Sequence, residues 1–243
     1  MNIIEQNHEI LSDISELLLD IEVAARTCYK SEDKIGCTLE DIGQYCRAPG
    51  KYNCMDTGCY KHSSHKLINT LIKRGHHAMI EFNDIIVKFI TNRGVTHELV
   101  RHRLFSFAQE STRYVKYYGD MEFIYPVWCS KEIIGNWSGL YSKIPMSMDI
   151  DQTDYNFINC CAGSEDDYKN LIAQGWRPEQ AREILPNSLK TEIVVKGNIR
   201  EWRHCLKLRT SKKAHPQIRA LMLPLLKEFK DNIPILFDDI GND

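Results

Sequence analysis

Several signatures that would assign this chain to a common class are missing. No G-x-G-x-x-G follows an apparent strand and no G-x-x-x-x-G-K-S/T occurs anywhere, so neither a doubly wound dinucleotide fold nor a P-loop is expected. No apolar run approaches the length of a membrane span, and the opening residues MNIIEQNHEI contain no cationic segment leading into an apolar stretch. The expectation is a cytoplasmic protein with no membrane partner. A surplus of one charge is missing too: 31 Lys and Arg against 33 Asp and Glu leave a net charge of −2, whereas a general nucleic-acid binder is normally basic overall. No nucleic-acid partner is expected, and any anion site has to be local. The nine cysteines form no C-x-x-C pair and no framework of the kind that staples small secreted domains, in keeping with a reducing compartment. Cys54, Cys59, His62 and His65 come nearest to a metal cluster, but without a C-x-x-C pair they read as a loop with free thiols, and no metal is expected. Internal repeats and low-complexity runs are also missing.

The chain does contain enough apolar material, 43% of 243 residues, for one domain over 1–243 with a sizeable core. Residues Ile3 to Leu11 suggest a short strand or hairpin. From Asp13, the recurrence of Ile14, Leu17, Leu18, Ile21 and Ala25 predicts a core-facing helix ending near Cys28. Ser31 to Ser64 has no sustained periodicity and reads as a long loop with one short helix around Leu39 to Tyr45. Leu67, Ile68, Leu71 and Ile72 predict a second helix, with Lys73 and Arg74 in its last turn and Gly75 as its stop. Alternation from Ile85 to Thr91 predicts a strand ended by Gly94, and a helix is expected from near Thr96 through Arg101-His102-Arg103. Beyond an irregular aromatic segment, helices are expected over Asp154 to Ala173 and from Pro178 to just before Pro186. A strand over Lys190 to Val195 then leads into a helix capped by Asn198, and a last helix, kinked at Pro224, ends near Phe229. This order predicts an α+β fold, a small central antiparallel sheet flanked by helices.

The chemistry concentrates in RHRLFSFAQESTRY, from Arg101 to Tyr114. Arg-His-Arg alone is commonly surface decoration on a helix. Its continuation, with two aromatics, hydroxyls, an amide and Arg113, suits an anionic ligand carrying a flat ring. Guanidinium forks grip phosphate and stack on rings, while Ser and Gln side chains fix orientation. On a continuous helix His97 would share a face with Arg101, and Glu98 with His102.

Arg-His-Arg, seven residues and then Ser111, with Arg113-Tyr114 close behind, resembles the signature of the flavin-dependent thymidylate synthases. Other stretches are similar to the same family: Gly75-His76 with Glu81 five positions after the histidine, Arg182 in Ala-Arg-Glu-Ile-Leu-Pro, and the set Asn198, Arg200, His204 and Arg209. The resemblance implies a homotetramer with shared active sites that binds FAD and dUMP, reduces the flavin with NADPH, and takes a methylene group from methylenetetrahydrofolate to make dTMP. It implies no cysteine nucleophile, and the chain has no Pro-Cys-His stretch of the cysteine-dependent synthases. Arg209 and His76 would be catalytic. Ala78, Glu81, Arg101, His102, Arg103, Gln109, Asn198, Arg200 and His204 would surround the flavin. Glu98, Arg101, Gln109, Ser111, Arg113, Arg182 and Arg209 would hold dUMP, Arg182 reaching the nucleotide of a neighbouring subunit.

The chain departs from the family at several positions. Ala78 stands where relatives often carry Ser or Thr, Phe82 where they often carry His, Ala108 and Cys28 where a small polar residue is usual, and Lys213 where His is expected. Gln109 replaces a frequent Glu. Glu98 replaces a common Gln and puts a carboxylate beside an anion site, which calls for a partner, either an arginine or His102. These departures leave two further readings open: a pyrimidine nucleotide hydroxymethylase on the same scaffold, and a non-catalytic nucleotide- or RNA-binding protein.

Overall fold

A computed structural model describes residues 1–14, 17–32, 63–137 and 150–241. The strands are β1 (Asn2–Ile4), β2 (Asn7–Ile10), β3 (Asp84–Asn92), β4 (Ser106–Gln109), β5 (Glu122–Ile124), β6 (Gly135–Asn136) and β7 (Lys190–Asn198). The helices are α1 (Leu17–Tyr29), α2 (Ser63–Lys73), α3 (Arg93–Leu99), α4 (Gln152–Ala173), α5 (Pro178–Ala181), α6 (Ile199–Arg209), α7 (Pro216–Asn232) and α8 (Pro234–Phe237). Short 3-10 turns cover His77–Glu81, Lys131–Ile133 and Arg182–Ile184. The fold is α+β as expected, with the strands shared between two sheets. One has the order β5-β1-β6, the other β2-β3-β7-β4. β1 and β2 therefore do not form a hairpin: β1 pairs parallel with β5 and antiparallel with β6.

The chain divides into two compact units. The first comprises Met1–Glu9, Val87–Val195 and Lys212–Met222. Its core gathers Ile3 of β1, Phe123 of β5, Ile158, Cys161 and Tyr168 of α4, and Leu189 before β7. α4 starts where Asp151 accepts the Thr153 N–H at 2.9 Å, the side-chain cap that its sequence position favours. α5 is far shorter than the helix expected over this stretch. Ala181 is the one fully buried residue of Pro178–Leu185, and Leu185, ahead of Pro186, is extended with ψ 131°, as a residue preceding proline tends to be.

The second unit comprises Ile10–Ile86, Lys196–Ser211 and Leu223–Asp243. Trp202 of α6 is fully buried, meets Phe229 of α7 edge-on at 5.9 Å, and donates its indole N–H to the Ile85 carbonyl at 3.0 Å. Arg203 on the same helix is buried; its guanidinium forks onto both carboxylate oxygens of Asp239 at 2.8 and 2.7 Å and also donates to the Leu236 carbonyl. Burial works against the Asp239 carboxylate, but Arg203 and then Lys207 outweigh it and hold the group below the usual carboxylate range. α2 ends as its sequence predicts. Gly75 takes φ 71°, its N–H reaches the Ile72 carbonyl at 3.1 Å, and the His76 N–H reaches that of Leu71 at 2.9 Å, the paired bonds of a glycine-terminated helix. The short helix expected at Leu39 to Tyr45 and the residues Cys54, Cys59 and His62 lie outside the described residues; His65 lies in α2.

Candidate active site

In the first unit the Arg-His-Arg triplet follows α3 and is not part of it. Asn92 caps the helix by accepting the Val95 N–H at 2.8 Å, so α3 begins earlier than expected, with Gly94 inside its first turn, and it is finished by Leu99. The chain leaves through i→i+3 bonds, Arg101 N–H to Glu98 O at 3.3 Å and His102 N–H to Leu99 O at 3.0 Å. The reason lies in what is buried. Leu99, His102 and Phe105 are buried three residues apart, the repeat of a 3-10 path, and the His102 and Phe105 rings are 5.9 Å apart. Arg101 and Arg103 are left exposed on either side of His102.

The carboxylate of Glu98 reaches His215 Nδ1 at 3.6 Å, and the His215 ring meets Trp128 at 5.3 Å. A partner for the extra carboxylate is thus a histidine that local spacing did not indicate. Gln109, at the end of β4, is oriented by two threonines. The Thr96 hydroxyl commits its proton to the Arg93 carbonyl at 3.1 Å, so it acts as acceptor for Gln109 Nε2 at 3.0 Å, and the same nitrogen reaches Thr191 Oγ1 at 3.3 Å. Ser111 Oγ accepts the Arg113 N–H at 3.3 Å, and the exposed Arg113 guanidinium lies 5.5 Å from the centre of the Tyr114 ring. Between them, Glu110 accepts the Tyr117 hydroxyl at 2.8 Å, while its backbone carbonyl accepts Arg93 Nη2 at 3.1 Å. Among the described residues no carboxylate pairs with Arg101, Arg103 or Arg113. Arg182 sits in the 3-10 turn after α5, half-buried, with its Nε 3.4 Å from Glu183.

In the second unit the helix end at Gly75 delivers His76, whose Nδ1 is 3.0 Å from the hydroxyl of Tyr29, the last residue of α1. Glu81 closes the following 3-10 turn and pairs with Arg200 at 2.5 Å. Asn198 caps α6 through the Glu201 N–H at 2.9 Å. Its side-chain oxygen is thereby committed to the helix, and Arg200 and the exposed His204 project from the turns that follow. Burial raises the carboxyl of Glu201, with the charge of His204 opposing it. Arg209 is the last residue of α6 and half-buried. Ala78 is exposed and can offer a ligand only its backbone and a methyl group. The expected site residues thus form two sets, Glu98, Arg101, His102, Arg103, Gln109, Ser111, Arg113 and Arg182 in one unit, and His76, Ala78, Glu81, Asn198, Arg200, His204 and Arg209 in the other.

Three of the described thiols are poor nucleophiles. Burial pushes Cys205, between His204 and Arg209, up to about 12, and does the same to Cys161 and, with Asp154 assisting, to Cys129. At neutral pH each is a protonated thiol, whereas the thiolate is the reactive form. Sequence reasoning missed Tyr29, Thr96, Glu110, Tyr117, Thr191 and His215. The Thr96 position, one turn into a capped helix, is the one local signal among them.

The sequence matches the family model of the thymidylate synthase complementing protein, Thy1, over residues 10–235. It is 32% identical to the flavin-dependent thymidylate synthase of Corynebacterium efficiens, over 90% of this chain and 78% of that protein. It is 30% identical to the protein of the same name from Geobacter sulfurreducens, over 91% of this chain and 81% of that one. Among solved structures, the UMP/dUMP methylase PolB from Streptomyces cacaoi bound with 5-Br dUMP has a TM-score of 0.68 at 20% identity, covering 98% of this chain and 96% of its own. At that identity the likeness is one of fold.

Proposed function

The chain belongs to the thymidylate synthase complementing protein family, and from that premise we propose that it is a flavin-dependent thymidylate synthase, methylating dUMP to dTMP with methylenetetrahydrofolate as carbon donor and NADPH as reductant. The observation that carries this reading is that Arg101, Arg103 and Arg113 are exposed and have no carboxylate partner among the described residues, in the same stretch of chain as Gln109, whose amide is held by Thr96 and Thr191. Such uncompensated guanidinium groups suit a phosphate, which they bind with paired hydrogen bonds.

The donor set also fits a dinucleotide flavin. In the first unit exposed Arg101 and Arg103 flank buried His102, and in the second unit Arg200 and His204 are exposed; each of these four exposed side chains can donate to a pyrophosphate. These residues, with Glu81, Gln109 and Asn198, would hold FAD, which supplies the redox chemistry when bound. Ala78 and Ala108 have no polar side-chain atom to offer it. The protein's own part is binding and charge. Arg101, Ser111, Arg113 and Arg182 hold the nucleotide, and Glu98 stands beside them, its charge offset by His215 whenever that ring is protonated. His76, braced by Tyr29, lies near the folate. Arg209 stabilises the negative charge that the uracil ring acquires as its C5 attacks the methylene carbon, a task that needs no thiolate and is in keeping with the high thiol values. A homotetramer with sites shared between chains completes the proposal.

The visible spectrum of the purified protein tests it. A flavin spectrum that changes on addition of dUMP and not of dCMP is expected; a protein that neither carries nor takes up flavin would overturn the reading.

A further inference from the structure

Among the described residues, the buried side-chain atoms Arg93 Nε and Glu110 Oε2 have no hydrogen-bond partner, and the buried Tyr168 hydroxyl lies against the Tyr117 backbone. They do not lie scattered through the molecule. Arg93 holds the backbone carbonyl of Glu110, Tyr117 holds the other carboxylate oxygen of Glu110, and the Tyr117 ring meets the Tyr168 ring edge-on at 5.7 Å. Tyr168 is itself 1% exposed, which closes the cluster from the core side.

What gives this cluster a role is its position in the chain. Glu110 lies between Gln109 and Ser111, and its N–H continues the pairing of β4 with β7 by donating to the Glu192 carbonyl at 2.9 Å. Along a paired strand successive side chains face opposite ways, so Glu110 anchors from one side the segment that presents its two neighbours on the other. Burial, and then the bond to Glu110, push the Tyr117 phenol far above its ordinary range, so it remains a donor.

We propose that Glu110, held by Tyr117 and Arg93, is a positioning residue that sets Gln109 and Ser111 for the nucleotide. The inference rests on the dUMP reading above and goes beyond it in naming residues that need not touch the ligand. Its test is calorimetric titration of dUMP into the flavin-loaded protein, with thermal unfolding and steady-state kinetics alongside, for wild type, Glu110→Gln, Tyr117→Phe, Ser111→Ala and the double variant Glu110→Gln/Ser111→Ala. Loss of one such bond is expected to weaken dUMP binding about tenfold in Glu110→Gln and in Tyr117→Phe. KM for dUMP should rise more than kcat falls, with flavin content unchanged. If Glu110 acts through Ser111, its effect shrinks in the Ser111→Ala background, since coupled residues are not additive. Variants that melt earlier yet bind dUMP like wild type, or effects that simply add, would overturn the inference. Should Glu110→Gln fail to fold, Tyr117→Phe, which removes one hydroxyl, carries the same test. A wild-type protein that binds no dUMP would overturn the functional reading first, and this inference with it.

Discussion

Arg209 separates a catalytic reading from a plain structural one most sharply. On the structural reading Arg209, the last residue of α6, offsets the helix dipole, a contribution of about 0.3–1 kcal/mol to stability. As the group that stabilises charge on the uracil ring, it is worth far more: removing one such preorganised donor typically costs about 100-fold to 1,000-fold in rate. Arg209→Ala is therefore expected to keep its fold and its flavin while turnover falls by that order, and Arg209→Lys to restore little, because a point charge does not reproduce the planar fork. Steady-state dTMP formation by the two variants decides between the readings; near wild-type turnover by the alanine variant would remove Arg209 from the mechanism. Asp239 offers a pH test of the helix that carries Arg209. Its carboxyl is held below the usual range in the folded state by Arg203 and Lys207 against the cost of burial. A depressed carboxylate contributes stability that is fully present above its unfolded value of about 3.9 and is lost as pH falls through the lower folded value. Asp239→Ala should be less stable than wild type at neutral pH by about 1 kcal/mol, the worth of a hydrogen-bonded pair whose carboxylate is half exposed and therefore screened by solvent. In denaturant titrations that gap should narrow below about pH 3.9; a constant gap down to strong acid would contradict the assignment.

At the scale of elements, the positions of His76 and Arg200 depend on how two helices stop and start. Gly75 has φ 71° and no atom of the described residues within 4 Å of where a side chain would begin, so Gly75→Ala is expected to meet backbone strain, about 1–2 kcal/mol. Asn in the same place tolerates that conformation and should cost less. Asn198→Ala should cost about 1 kcal/mol through the lost cap. Thermal melts of the three variants are expected to rank Gly75→Ala below Gly75→Asn, with Asn198→Ala also below wild type. These ends were legible because their signals are local: a glycine after Lys73-Arg74, and an asparagine before a run of helix formers. The helix over the Arg-His-Arg triplet was misread because burial of Leu99, His102 and Phe105 at a spacing of three is decided by the packing around them. The two-sheet arrangement was illegible for a similar reason, since β1 pairs with β5 far along the chain. The same holds within the site. The sequence marked Glu98 and Gln109 as unusual, yet their partners His215 and Thr191 lie far away in sequence, and no periodicity points to them.

At the scale of the whole molecule, Arg182 and Arg101 are far apart in the chain, and the proposed tetramer would bring them together from different subunits. Mixing an Arg182→Ala chain with an Arg101→Ala chain should then restore part of the activity that each lacks, because some mixed sites would carry both arginines. If mixed tetramers form and no activity returns, sharing in this form is wrong. The central claim is the reaction itself, and product analysis tests it most directly. Purified protein supplied with FAD, NADPH, methylenetetrahydrofolate and dUMP should yield dTMP, identified by mass and by co-elution with the authentic nucleotide. A hydroxymethylated nucleotide in its place, or unchanged dUMP with a flavin-loaded protein, would contradict the account.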